Sequence, residues 1–174
     1  MALGHFFLIT TVDSTILVEY MKLSLRGEYA LRALIVLGQN YSEQVVRIQA
    51  ISEQQNIPKR FLEQILNDLK SGGFVESKRG IAGGYRLARS PDLIPLAPVV
   101  RHIEGALAPV SCVSERFYKA CSCPDEATCA IRDVMKEVRD AIVHILDRVT
   151  VADLCERSAK LRNQMGKGTA DYVI

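Results

Sequence analysis

The chain has 174 residues, enough to bury a substantial core and to form one domain with an extension or two small domains. Its 48% hydrophobic and 24% charged residues are the proportions of a soluble globular protein rather than of a chain that spans a bilayer. The net charge of +2 says little as a total, but residues 21–90 carry 11 Lys and Arg against 6 Asp and Glu, a net of +5. Residues 1–20 carry −2 and residues 91–174 carry −1.

Residues 1–20 contain no Lys or Arg, so they lack the basic start of a secretory signal. Their apolar run is broken by Thr10, Thr11, Asp13 and Ser14 and is too short to span a membrane. A more regular pattern opens at Met21, and the reading expects the true start there. Residues 1–20 are then a mis-assigned or disordered extension, with a genuine N-terminal arm as the alternative. From Ser24 to Leu37, Leu31, Leu34, Ile35 and Gly38 share one helical face that Tyr29 and Ala30 open, which predicts a first, mostly core helix. A polar loop follows from Asn40 to Val46, then a short helix from Arg47 to Gln55 with Ile48 and Ile51 inward.

Asn56-Ile57 makes a tight turn into the most informative stretch of the chain. Pro58 suits the first turn of a helix, where its missing N–H is not needed. Phe61, Leu62, Ile65, Leu66 and Leu69 recur at helical spacing, and Lys59, Arg60, Glu63, Gln64, Asn67 and Lys70 fall largely outside that stripe. Gly72-Gly73 ends the helix. Residues 74–77 read as a strand, Lys78 to Gly84 as a basic, glycine-rich turn, and Tyr85-Arg86-Leu87 as the returning strand. A helix-turn-helix followed by a basic hairpin is a winged-helix pattern, in which the second helix enters a major groove and the wing touches backbone or minor groove. The positive excess falls on this segment, as a phosphate-binding surface requires.

Ser90-Pro91-Asp92 and Pro95 break the chain, and a helix is predicted from Leu96 or Pro98 to Glu104, closed by Gly105. Residues 110–128 read as a loop. Ala130 to Val149 reads as one long helix, its stripe formed by Ile131, Val134, Val138, Ala141 or Ile142, Ile145 and Val149. Such a helix ending so small a domain suggests a second copy packed against it, with packing on its own domain as the alternative. Residues 156–174 form a polar tail that is expected to be disordered. The organisation expected is therefore a 1–20 extension, a 21–92 winged helix-turn-helix, a 93–129 linker helix and cysteine loop, a 130–155 dimerisation helix and the 156–174 tail. The fold class is mainly α with a small β-hairpin wing.

Four of the five cysteines, Cys112, Cys121, Cys123 and Cys129, fall within eighteen residues; Cys155 stands apart and reads as an incidental or buried thiol. With no secretory signal, the expected location is cytoplasmic, where clustered cysteines are metal ligands or redox-active thiols more often than disulfides. No phosphate loop, GxSxG or Cys–His pairing points to an enzyme, and His5, His102 and His144 are isolated.

These residues resemble the Rrf-two family of bacterial winged-helix regulators. The likeness rests on Met21-Lys22-Leu23-Ser24, Gly27-Glu28-Tyr29-Ala30-Leu31, Ile57-Pro58 and Phe61-Leu62-Glu63-Gln64-Ile65-Leu66. It continues through Leu69, Gly73, Val75, Ser77, Arg79-Gly80, Gly83-Gly84-Tyr85, Leu87-Ala88 and Gly105. It covers about residues 21–155 and implies a homodimeric transcription regulator acting on palindromic double-stranded promoter DNA. On that likeness Glu63 can accept from a cytosine amino group and Gln64 can pair with adenine, while Lys59 and Arg60 reach guanine or phosphate. Lys78 and Arg79 lie on the wing, with Arg79 suited to a narrow minor groove and Gly80, Gly83 and Gly84 allowing close approach.

The likeness is strongest to the cluster-binding branch (IscR-, NsrR- and RirA-like members), in which three loop cysteines hold an iron–sulfur cluster. This implies a cluster, [2Fe-2S] by resemblance, held by Cys112, Cys129 and one or both of Cys121 and Cys123. The spacing Cys123-x5-Cys129 matches the last two ligands of that pattern. The histidine common in IscR-like members three residues after the third cysteine is Arg132 here. The remaining ligand is then the extra cysteine or a carboxylate from the opposite subunit at the position of Glu28. Structural zinc, a thiol–disulfide switch without metal, and control by a partner protein with no cofactor are the alternatives.

Overall fold

A computed structural model describes residues 23–42, 45–80 and 83–168 of the protein; the expectations for residues 1–20 and for a start at Met21 lie outside them. Among the described residues, six helices and one hairpin follow in order. They are α1 (Leu25–Gln39), α2 (Ile48–Gln55), α3 (Lys59–Ser71), β1 (Val75–Lys78), β2 (Gly84–Leu87), α4 (Leu96–Glu104), α5 (Ala130–Arg148) and α6 (Val151–Gly168). The mainly helical fold with a β-hairpin wing is the one the sequence predicts.

Local chemistry sets most boundaries. Ser24 caps α1, its hydroxyl accepting from Gly27 N, and its N and Oγ both donate to Glu104 Oε1 at 3.1 and 2.8 Å, which ties the start of α1 to the end of α4. Asn56 adopts the left-handed conformation between α2 and α3 (φ 51°), a position asparagine tolerates better than most residues. Pro58 is the residue before the first turn of α3, and Gly72 with Gly73 (φ +72°) closes that helix.

The core is built from α1 (Ala30, Ala33, Leu34, Leu37), α2 (Ile51), α3 (Leu62, Ile65, Leu66, Leu69), the wing base (Phe74, Val75, Leu87) and the α4 region (Ile94, Leu96, Val99). On α1 the fully buried face runs through the alanines, and Leu31 and Ile35 are only half-buried, so the predicted face is rotated. Phe61 also departs from expectation: it is 38% exposed and meets Tyr29 edge-on at 5.9 Å rather than entering the core. The wing pairs Val75 with Leu87 and Glu76 with Arg86, whose side chains form an ion pair at 2.8 Å. The loop before α2 is not wholly irregular. Val46 pairs antiparallel with Tyr85, exchanging N–H···O bonds of 2.8 Å in each direction. Gly84 permits this approach, since a Cβ there would stand 2.4 Å from Val46 O.

The larger correction concerns the tail. The sequence reading has residues 156–174 disordered, whereas α6 continues to Gly168. Its first residue, Val151, is fully buried beside α1, and Cys155 Sγ donates to Ile35 O at 3.5 Å. A Cβ on Gly38 would lie 2.7 Å from Cys155 Sγ, so this glycine lets α1 and α6 meet. The signal was weak because α6 presents few apolar residues and its anchoring comes from its first turns. No helix among the described residues is long and apolar enough to cross a membrane.

Candidate functional site

Two surfaces carry the candidate residues. On α3, burial of Leu62, Ile65, Leu66 and Leu69 leaves Lys59, Arg60, Glu63, Gln64 and Asn67 exposed on the opposite face. No hydrogen bond or ion pair within the described residues engages the side chains of Lys59, Arg60, Glu63 or Gln64. The last turn of α3 is fixed to its surroundings. Lys70 Nζ donates to Ser77 Oγ at 2.8 Å, Arg26 pairs with Asp68, and His102 Nε2 on α4 lies 2.8 Å from Asp68 O.

The wing turn projects Lys78, Arg79 and Gly80 into solvent, with Gly80 at φ +106° and open space around it. Gly83 and Gly84 have an internal reason to be glycine: a Cβ on Gly83 would lie 2.5 Å from Lys78 O, and Gly84 abuts Val46. Close packing of the hairpin on itself at Gly83, and on the loop before α2 at Gly84, therefore accounts for these two glycines.

The second surface is the loop from 106 to 129 and the start of α5. Cys112 sits in a single 3-10 turn (Ser111–Val113) and is buried with Ala108 and Val113 against Met135; Cys121, Cys123 and Cys129 are half-buried. Cys112 Sγ and Cys121 Sγ lie within 4.8 Å of one another, Cys121 also neighbours Cys123, and Cys123 Sγ is 3.5 Å from Cys129 Sγ. All four thiols therefore form one connected group. Cys129 is the N-cap of α5, and its sulfur accepts from Arg132 N at 3.4 Å, which holds its thiol below the usual cysteine range. Cys123 is pushed the other way, to about 12, by hydrogen bonding to Cys121 and Cys129. Burial, followed by the neighbouring Cys121, raises Cys112.

Two arginines of α5 hold the loop. Arg132 Nε donates to Cys112 O at 3.2 Å, and Arg139 Nη1 donates to Val113 O at 2.8 Å. Asp125 closes the turn before Cys129 by accepting from Ala127 N and Thr128 Oγ1 at 2.9 and 2.7 Å. The sequence reading missed Glu126. A carboxylate oxygen of Glu126, Cys112 Sγ and Cys121 Sγ all lie within 4.8 Å of one another. Tyr118 Oη donates to Glu126 Oε2 at 2.5 Å, and this acceptor holds the phenol above its ordinary range. The available signal was a carboxylate three residues before Cys129. Glu28, by contrast, lies in the first turn of α1 and pairs with Arg32 at 3.2 Å; it is not among the grouped ligand atoms of its own subunit.

Soft sulfur donors gathered on a loop suit iron–sulfur clusters, zinc or copper(I), and a thiol pair at 3.5 Å also suits reversible disulfide formation.

Comparison with known proteins bears on both surfaces. The family model Rrf2, described as iron-dependent transcriptional regulator, matches residues 23–157. An rrf2-like HTH-type transcriptional regulator of Rhodobacter capsulatus is 40% identical over 131 residues, covering 73% of this chain and 87% of that one. The regulator NsrR of Geobacillus kaustophilus is 35% identical over 143 residues, covering 82% and 95%. Among solved structures, CymR of B. subtilis, described as the global cysteine regulator, matches with a TM-score of 0.67 and 30% identity, covering 79% of this chain and 98% of that one. T. potens IscR matches with a TM-score of 0.63 and 28% identity, covering 79% and 88%.

Proposed function

The chain belongs to the Rrf2 family of transcriptional regulators, and from that premise we propose that its DNA affinity is switched by an iron–sulfur cluster held by the loop cysteines. The observation that carries this reading is the convergence of Cys112, Cys121, Cys123 and Cys129 into one group at the N-terminus of α5. The donor set fits: Cys112, Cys129 and one or both of Cys121 and Cys123 would hold the group, and the extra cysteine or a carboxylate would supply the remaining donor. When bound, the cluster supplies an oxidant- and nitric-oxide-sensitive centre whose loss changes the charge and rigidity of the loop.

The rest is work for the chain's own residues. Arg132 and Arg139 fasten the loop to α5; α5 meets α4 through Val143, Leu146 and the Arg101–Asp147 pair at 3.6 Å; and His102 on α4 meets the end of α3. A change in the loop is thus physically connected to the recognition helix. On DNA, Glu63 and Gln64 read base edges, Lys59 and Arg60 reach guanine or phosphate, and Lys78, Arg79 and Gly80 bring the wing to the minor groove or backbone. The protein acts as a homodimer on a palindromic site. Support for the dimer comes from α5, where Ile131, Val134 and Ile145 are 69%, 53% and 60% exposed along one stripe. By resemblance, Glu28 of the opposite subunit competes with the extra cysteine for the fourth ligand position.

An anaerobic absorption spectrum of the purified protein, with iron and acid-labile sulfide assayed on the same sample, tests this reading. A brown protein holding both elements, and losing them in Cys112→Ala and Cys129→Ala variants, is the expected result. A colourless protein after anaerobic reconstitution would end it.

One observation favours a second reading, a thiol switch: Cys123 and Cys129 lie 3.5 Å apart, with Cys129 the more readily ionised. Hydrogen peroxide would oxidise the Cys129 thiolate to a sulfenic acid. Attack by the Cys123 sulfur would then form the disulfide and release water. Peptide mapping after peroxide treatment of metal-free protein distinguishes this pairing from a random mixture.

A further inference from the structure

A carboxylate that shares a site with thiols needs a reason to be there, because its charge makes ionising those thiols harder. Glu126 is so placed: one of its oxygens lies within 4.8 Å of both Cys112 Sγ and Cys121 Sγ. Donor atoms about 2.0–2.3 Å from a common metal stand within about 4 Å of one another, so this spacing is close to that of a ligand set. The two carboxylate oxygens are treated differently by their surroundings. Oε2 accepts from Tyr118 Oη at 2.5 Å, whereas Oε1 is buried and accepts no hydrogen bond among the described residues. Oε1 is ion-paired with Arg132, whose Nε lies 3.0 Å away, but the single N–H of that nitrogen is directed to Cys112 O at 3.2 Å. The ion pair compensates the charge but leaves the lone pairs of Oε1 without a hydrogen-bond donor, so they are free to face a metal beside the two thiols. The Tyr118 bond to the other oxygen is the arrangement that orients a ligating carboxylate.

We propose that Glu126 is an oxygen ligand, supplied by the same subunit as the thiols, of the metal held in this loop. The proposal rests on the reading of the loop as a metal site, but not on the metal being iron or on sulfide being present. It assigns the non-cysteine ligand to the loop itself rather than to Glu28 of the opposite subunit. Arg132 then serves as a positioning residue: it balances the negative charge of the site and fixes Cys112 through its carbonyl.

The test uses the full-length protein, anaerobic and metal-free, with cobalt(II) alone as the probe. Titration should give a tetrahedral thiolate spectrum in the wild type. In Glu126→Gln the dissociation constant should rise by about tenfold or more, with displaced ligand-field bands. Glu126→Asp should recover part of the affinity, and Glu28→Gln should titrate like wild type. Circular dichroism and thermal melting of Glu126→Gln should match wild type, which separates ligand loss from misfolding. Equal affinity and identical bands in Glu126→Gln and wild type overturn the proposal, as does a wild type that binds no cobalt. An effect confined to Glu28→Gln overturns it in favour of the opposite subunit's carboxylate. Iron and sulfide reconstitution of the same proteins keeps the two readings apart. Glu126-dependent cobalt binding in a protein that never retains sulfide removes the cluster and leaves Glu126 as a ligand.

Discussion

Arg132 Nε donates across 3.2 Å to the carbonyl oxygen of Cys112, joining the first turn of α5 to the one buried cysteine of the loop. The backbone N–H of the same arginine donates to Cys129 Sγ, so one residue on a helix governs both ends of the cysteine segment. Removing the side chain breaks the first contact and leaves the second. Arg132→Ala should therefore expose Cys112 and raise its alkylation rate by iodoacetamide in metal-free protein several-fold, while Cys129 reacts nearly as before. Mass spectrometry of timed samples reads this directly, and an unchanged Cys112 rate would show that the loop holds without the arginine.

The two elements proposed to face DNA should fail in different ways. Glu63→Ala removes the proposed acceptor for one base and should cost about 1–3 kcal/mol of discrimination at that position. Arg79→Ala removes a charge on the wing, so it should weaken binding to most sequences and shallow the salt dependence by about one phosphate contact. Binding titrations at several salt concentrations, on operator and scrambled DNA, separate the two. Normal operator binding by both variants would mean that helix and wing do not face DNA.

On α5, Val134 and Val138 lie mid-stripe and are exposed. A glutamate at either position places a charge in the proposed subunit contact without disturbing Val143 or Leu146, which pack on the domain. Light scattering should report a dimer for wild type and, at the same concentrations, a monomer for Val134→Glu and Val138→Glu. Thermal unfolding of the monomer should remain cooperative. A dimer that persists in both variants would place the contact elsewhere.

The start of α6 is held by a reciprocal pair. Asp153 Oδ2 accepts from Thr150 N and Thr150 Oγ1, each at 2.8 Å, and Thr150 Oγ1 accepts from Asp153 N at 3.3 Å. The bonds from Thr150 hold the Asp153 carboxyl below the usual carboxylate range. Because its folded pKa is depressed, the stabilisation is present above the unfolded value near 3.8 and is lost as pH falls through the lower folded value. Asp153→Asn should thus lower the melting temperature at pH 7 and change it little at the acid end. A parallel offset at every pH would exclude the carboxylate as the cause.

What the sequence determined by itself is what depends on near neighbours. Apolar spacing placed α3 and α5, Gly72-Gly73 and Gly105 closed helices, the glycine-rich turn set the wing, and the crowding of four cysteines marked the loop. Tertiary structure decided what depends on distant partners. Phe61 has the spacing of a core residue, yet Tyr29 holds it at the surface. Val46 looks like the end of a polar loop until Tyr85, 39 residues later, supplies its hydrogen bonds. The polar α6 persists because its first turn is buried against α1 across the gap left by Gly38. Glu126 could not be told from any other acidic loop residue until folding brought its carboxylate beside Cys112 and Cys121. Periodicity records which face of an element is apolar, whereas a binding site is a set of distances that only the packed chain defines.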